Sequence, residues 1–158
     1  MMMHEKKTSG LRVLVVDDSA LSRRMLQSIL EKDPAIIKVE TATDAYSAVE
    51  KIRRETPDVI LLDVEMPRMN GLKFLKRIMA QHPLPVIVCS SHIEGRSGAV
   101  AREALALGAV DIIAKPGVED AVTMNEVSMR ILNAIHAAVG QGGDLDSVPY
   151  IDKSTTSF

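Results

Sequence analysis

No tryptophan occurs in the 158 residues, and only two tyrosines and two phenylalanines stand in for it. With so few flat rings, the sequence offers little from which to build a base-stacking platform for single-stranded nucleic acid. A single cysteine, Cys89, has no partner for an internal disulfide and fits a reducing cytoplasm. Neither sign of charge dominates: 19 Lys and Arg face 21 Asp and Glu, a formal net of −2, so nothing draws nucleic acid or an anionic membrane in general. No apolar run approaches the roughly 18 residues of a membrane helix. The opening MMMHEKKTSG carries no hydrophobic signal-peptide core. His4, His82, His92 and His136 lack metal-ligand spacing and receive no role. What is present, 46% hydrophobic and 25% charged residues, is ordinary for one soluble globular domain.

Short apolar runs alternate with helical patterns. LRVLVV (11–16), IIKVETA (36–42), DVILLD (58–63), PVIVCS (85–90) and AVDIIAK (109–115) read as five strands. The first, third and fourth are almost continuously apolar, as strands covered on both faces must be. Lys38 and Glu40 put the second nearer an edge. Between the strands, apolar stripes at helical spacing predict helices. They run through Leu21, Met25, Leu26, Ile29 and Leu30, then Ala45, Ala48, Val49 and Ile52, then Leu72, Leu75, Ile78 and Met79. A fourth carries Val100, Ala104, Leu105 and Leu107 and is closed by Gly108. A fifth runs from about Asp120 to Val139. Strict alternation of strand and helix predicts a parallel α/β sheet with helices on both faces. Residues 1–10 and 140–158 are polar and weakly patterned. They are expected to be a flexible N-terminal segment and a flexible tail or interdomain linker around a domain at 11–139.

In an open parallel sheet, ligands bind beyond the carboxyl ends of the strands. VVDDS leaves Asp17 and Asp18 there, VILLD leaves Asp63, IVCSS leaves Ser90 and Ser91, and IIAKPG leaves Lys115. Singly, each has a plain structural use: Asp18 and Ser19 as helix caps, Ser90 satisfying a backbone group, Lys115 as a solvated charge, Cys89 as core. Together, three carboxylates repel one another unless a cation sits among them. A hard dication such as Mg²⁺ takes such oxygen ligands, and the absence of His and Cys from the set disfavours zinc. A carboxylate can also attack phosphorus and form an aspartyl-phosphate. Lys115 and the dication would neutralise the phosphoryl oxygens, and Ser90 would bond one of them. Asp63, on the central apolar strand, fits the nucleophile best.

DD after strand one, D-x-x-M-P-x-M-x-G after strand three, a hydroxyl after strand four and KP after strand five resemble the receiver domain of two-component response regulators. The likeness covers about residues 11–139. DDSALSRRML, LLDVEMPRMNGLKFL, VIVCSSHIEG and ALALGAVDIIAKPG look like the receiver half of the chemotaxis protein-glutamate methylesterases. The resemblance implies a flavodoxin-like doubly wound fold of strand order 2-1-3-4-5, with Asp63 as phosphoacceptor. It also implies Mg²⁺ held by Asp18, Asp63 and the Glu65 backbone carbonyl, with Asp17 acting through water, Ser90 as switch hydroxyl and Lys115 binding phosphate. The implied partners are a chemotaxis histidine kinase and a C-terminal methylesterase domain of the same polypeptide, in the cytoplasm. No G-x-S-x-G elbow occurs in these residues, so the chain itself is expected to be a phosphoacceptor without esterase activity. Two departures stand out: Ile112 where receivers often carry Phe or Tyr, and Glu65 as a further acid beside the metal. The alternatives are a stand-alone signalling receiver and a phosphatase of the haloacid-dehalogenase type.

Overall fold

The structure is a computed structural model and describes residues 10–66, 69–90, 98–115 and 121–140. The expected flexible ends, Ser91, Pro67, Pro116, His4 and His92 lie outside the described residues, apart from Gly10 and Gly140. Five strands form the main sheet: β1 (Leu11–Val16), β2 (Ile36–Ala42), β3 (Val59–Leu62), β4 (Val86–Ser90) and β5 (Asp111–Ala114). All neighbours are parallel, in the order β2-β1-β3-β4-β5. The helices are α1 (Ala20–Leu30), α2 (Ala45–Arg54), α3 (Gly71–Gln81), α4 (Ala99–Ala106) and α5 (Ala121–Ile135), the last running into a π-helical turn at His136–Gly140. This is the expected flavodoxin-like arrangement. Strand three is two residues shorter than the sequence pattern, and strand five begins two residues later and ends one sooner. Asp63 and Lys115 therefore stand just past the hydrogen-bonded ladder.

Period-two alternation divides the core into two layers. Val13 and Val15 of β1, Val59 and Leu61 of β3, Ile87 and Cys89 of β4 and Ile113 of β5 pack with Leu26, Ile29 and Leu30 of α1 and Val127, Ile131 and Ile135 of α5. The intervening Leu14, Val16, Ile60, Leu62, Val86, Val88 and Ile112 face the opposite way. They pack with Ala48 and Ile52 of α2, Phe74, Leu75 and Ile78 of α3, and Ala101 and Ala104 of α4. β1, β3 and β4 are the strands buried on both faces, and each enclosed Val, Leu or Ile contributes about 1.5–3 kcal/mol. Leu21 departs from its expected stripe and is 64% exposed, because the first turn of α1 reaches the carboxyl rim of the sheet.

Caps fix where the helices begin. Ser19 accepts the Ser22 N–H at 3.2 Å, Asp44 the Ser47 N–H at 2.8 Å, and Asn70 the Leu72 and Lys73 N–H groups at 3.1 Å each. At the far end of α5, the His136 ring lies 2.7 Å from Asp33, whose carboxyl is held below its ordinary range by that hydrogen bond and by the Ala35 N–H. The chain between β3 and α3 holds a feature absent from the sequence reading. Glu65–Met66 and Met69–Asn70 pair antiparallel as a two-residue ribbon. Beside it Gly71 opens α3.

A Cβ built on Gly71 would sit 2.3 Å from the Val64 Cα, a backbone atom that cannot swing aside. Gly71→Ala is expected to lower stability by roughly 1–3 kcal/mol in urea unfolding, with an unchanged m-value. An unchanged midpoint would show that the ribbon and α3 are not locked together here.

Candidate functional site

The alternation that sorts the core also aims the polar ends of the strands. Asp17 continues the phase of Val13 and Val15, Asp63 that of Val59 and Leu61, and Lys115 that of Ile113. All three belong to the α1–α5 side of the carboxyl rim, and they meet there. The Lys115 ammonium donates to Asp17 Oδ2 at 2.6 Å, Ser22 Oγ at 2.9 Å and Asp63 Oδ2 at 3.2 Å. Because β4 lies between β3 and β5, the lysine stem crosses over β4 to reach Asp63.

The remaining carboxylate oxygens are held by backbone. Asp17 Oδ1 accepts the Ser19 N–H at 3.0 Å, and Asp63 Oδ1 accepts the Glu65 N–H at 2.9 Å. Each bond spans two residues, so each acid nucleates the turn that leaves its own strand. The Arg23 guanidinium donates to the Asp17 carbonyl at 2.9 Å and pins α1 to the same turn. Asp18, in the opposite phase, is exposed, yet carboxylate oxygens of Asp17, Asp18 and Asp63 all lie within 4.8 Å of one another.

The side chains of Asp17, Asp63 and Lys115 are 0%, 8% and 5% exposed. Burial is the largest influence on the Lys115 ammonium and pushes its pKa down. The hydrogen bond and charge of Asp17, then the charge and hydrogen bond of Asp63, together outweigh it and leave the pKa above the ordinary lysine value. Beneath the cluster, burial pushes the Cys89 thiol up to about 12, so it is inert core, as expected.

The chain's sequence matches the family model described as the response regulator receiver domain over residues 13–127. The chain belongs to that family. This receiver is similar to a protein-glutamate methylesterase/protein-glutamine glutaminase of Anaeromyxobacter dehalogenans, at 45% identity over 160 residues that cover 99% of this chain and 44% of that protein. A protein of the same name from Rhodospirillum rubrum is 51% identical over 130 residues, 82% of this chain and 36% of its own. The receiver thus spans less than half the length of these curated relatives. Among solved structures, the response regulator domain of Thermotoga maritima CheB superposes with a TM-score of 0.71 at 44% identity, covering 82% of this chain and 96% of that one. It is a receiver of the CheB type. Among the described residues, no helix is long and apolar enough to cross a membrane.

Within this receiver, the structure brings Asp17, Asp18, Asp63 and Lys115 together. Lys115 is far from the solvated charge that a lone lysine would be. Ser90 closes β4 fully buried, in the phase of Val86 and Val88, and its carbonyl accepts the Lys115 N–H at 3.1 Å. Glu65 is exposed on the ribbon beside Asp63. Ile112 is 2% exposed and packs into the α2–α4 layer. Sequence reasoning missed Ser22 and Arg23. Only their spacing from DD within α1, one helical turn beyond the acids, could have pointed to them.

Removing the ammonium leaves two buried carboxylates face to face. In metal-free buffer at neutral pH, Lys115→Met is expected to cost roughly 3–5 kcal/mol in urea unfolding. The pKa of Lys115 is raised in the folded protein, so its contribution is complete below the ordinary 10.5 and is lost as pH climbs through the higher folded value. The gap between wild type and variant should therefore narrow only above about pH 10.5. A gap already closed at pH 9 would contradict this assignment.

Proposed function

We propose that this receiver takes a phosphoryl group from the phosphohistidine of a chemotaxis histidine kinase onto Asp63. The observation that carries the reading is the placement of Asp63: buried at the tip of the central strand, with Asp17 and Asp18 on one side and the Lys115 ammonium 3.2 Å away. In the transfer, the phosphorus–nitrogen bond of the donor breaks as an Asp63 oxygen–phosphorus bond forms, and the imidazole leaves with the electron pair. Such transfer depends on positioning and charge neutralisation more than on covalent assistance.

The donor set fits a hard dication. It consists of oxygens alone, and three acids against one lysine leave the cluster at a formal −2. Asp18, Asp63 and the Glu65 carbonyl would hold Mg²⁺ directly, with Asp17 through water. Bound there, Mg²⁺ supplies positive charge beside the phosphoryl oxygens. Lys115 would add a second positive charge beside Asp63, and Ser90 would be the hydroxyl that closes on the group.

Ser90 and Lys115 sit at the ends of β4 and β5, so closure on a phosphoryl group biases the packing of α4, β5 and α5. That is a population shift worth a few kcal/mol. The curated relatives extend well beyond the receiver and bear the name methylesterase, which supports a C-terminal methylesterase domain as the regulated element. The phosphatase alternative has no support once the receiver family is shown.

Incubation with a radiolabelled, autophosphorylated chemotaxis kinase tests the reading. Wild type with Mg²⁺ should accept one phosphoryl group, and none after EDTA. Asp18→Asn should need more Mg²⁺ for the same rate. Continuous turnover of phosphomonoesters, or transfer indifferent to EDTA, would overturn it.

A further inference from the structure

An ammonium has three N–H donors in a tetrahedral fan, and Lys115 spends all three on protein acceptors: Asp17 Oδ2 at 2.6 Å, Ser22 Oγ at 2.9 Å and Asp63 Oδ2 at 3.2 Å. These contacts differ in kind. Asp17 is a fully buried anion whose other oxygen is tied to the Ser19 N–H. Asp63 is the group whose chemistry changes, and its contact is the longest of the three. Ser22 is the single neutral acceptor. Its own backbone is fixed, because its N–H is capped by Ser19 Oγ at 3.2 Å in the first turn of α1.

We propose that Ser22 is a positioning residue of the phosphoacceptor site. Its hydroxyl, with Asp17, holds the Lys115 ammonium so that the remaining N–H points at Asp63. The inference rests on the reading of Asp63 as phosphoacceptor and extends it to a residue on α1. A lysine stem has four rotatable carbons and a strongly hydrated head, so one anchor leaves its direction loose. Two anchors on the α1 side fix it. When Asp63 gains a phosphoryl group, only the weakest contact is exchanged for a phosphoryl oxygen, while Asp17 and Ser22 keep the cation in place. Pre-placement of this kind raises the rate of transfer because little reorganisation remains at the moment of reaction.

The helix itself does not need this hydroxyl. The Ser19 cap binds the Ser22 N–H, which alanine retains, and alanine is the better helix former. Ser22→Ala therefore isolates the contact with Lys115, and Ser22→Thr restores a hydroxyl at the same atom. Two readouts separate positioning from structure. The first is the rate of phosphorylation by acetyl phosphate with saturating Mg²⁺. The second is the exchange protection of the Lys115 ammonium in ¹H–¹⁵N spectra of the metal-free protein. Ser22→Ala should be slowed about tenfold, the scale of one hydrogen bond to a charged group, and its urea midpoint should fall because the Lys115 ammonium loses an acceptor while the fold is kept. Its ammonium signal should broaden through faster exchange, and Ser22→Thr should recover both. An Ala variant with wild-type rate and wild-type protection, or a Thr variant as slow as Ala, would overturn the role of Ser22 while wild type still labels at Asp63. A wild type that takes no phosphoryl group would instead overturn the phosphoacceptor reading, and this inference with it.

Discussion

Asp17 and Asp63 stand on neighbouring strands, both nearly sealed from solvent, where two ionised carboxylates disfavour each other strongly. Lys115 makes the arrangement tenable, and it comes from 98 and 52 residues away along the chain. No local segment could assemble this triplet. It exists only when β1, β3 and β5 occupy their places in one sheet and the lysine crosses the intervening strand. A buried ion cluster of this kind is weak evidence for stability, since well-packed apolar residues often do as well. What it does provide, with Asp18 beside it, is a fixed anionic edge of formal charge −2, the condition that favours a dication or a phosphoryl group with its metal.

One periodicity serves both fold and site. The residues that face α1 and α5 alternate along β1, β3, β4 and β5 with those that face α2, α3 and α4. Extending that alternation one step past the ladder delivers Asp17, Asp63 and Lys115 to the same side. A register slip of one residue in any of the three strands would send its polar tip into the other layer. The apolar strands are thus the frame that sets distances of 2.6–3.2 Å at the rim. The turns are cut to match: each acid takes the backbone N–H two residues on, so that the chain leaves the strand at the acid.

This explains what could be read in the sequence and what could not. Apolar runs of four to six residues, broken by helical stripes, carry the layer arrangement, and acids at the strand ends carry the site. Strand order is not in the pattern itself and came only through the resemblance of DD, D-x-x-M-P-x-M-x-G and KP to a family. Ser22 left no signal beyond its spacing from DD, because a hydroxyl in the first turn of a helix looks like any solvated serine until a lysine 93 residues later is placed beside it. The Glu65–Asn70 ribbon is two residues per strand, too short for any period to register. The need for glycine at position 71 lies in its close approach to Val64, which only the fold brings near. Leu21 fits an apolar stripe by spacing but sits past the point where the sheet can cover it.

The central assertion is a covalent one: a mixed anhydride between phosphate and the Asp63 carboxyl. Borohydride reduces such an acyl phosphate to the alcohol, which leaves homoserine where aspartate stood. After incubation with acetyl phosphate and Mg²⁺, borohydride treatment and peptide mapping should place homoserine at position 63 alone. Homoserine at position 17 or 18, or aspartate retained at all three, would contradict the account.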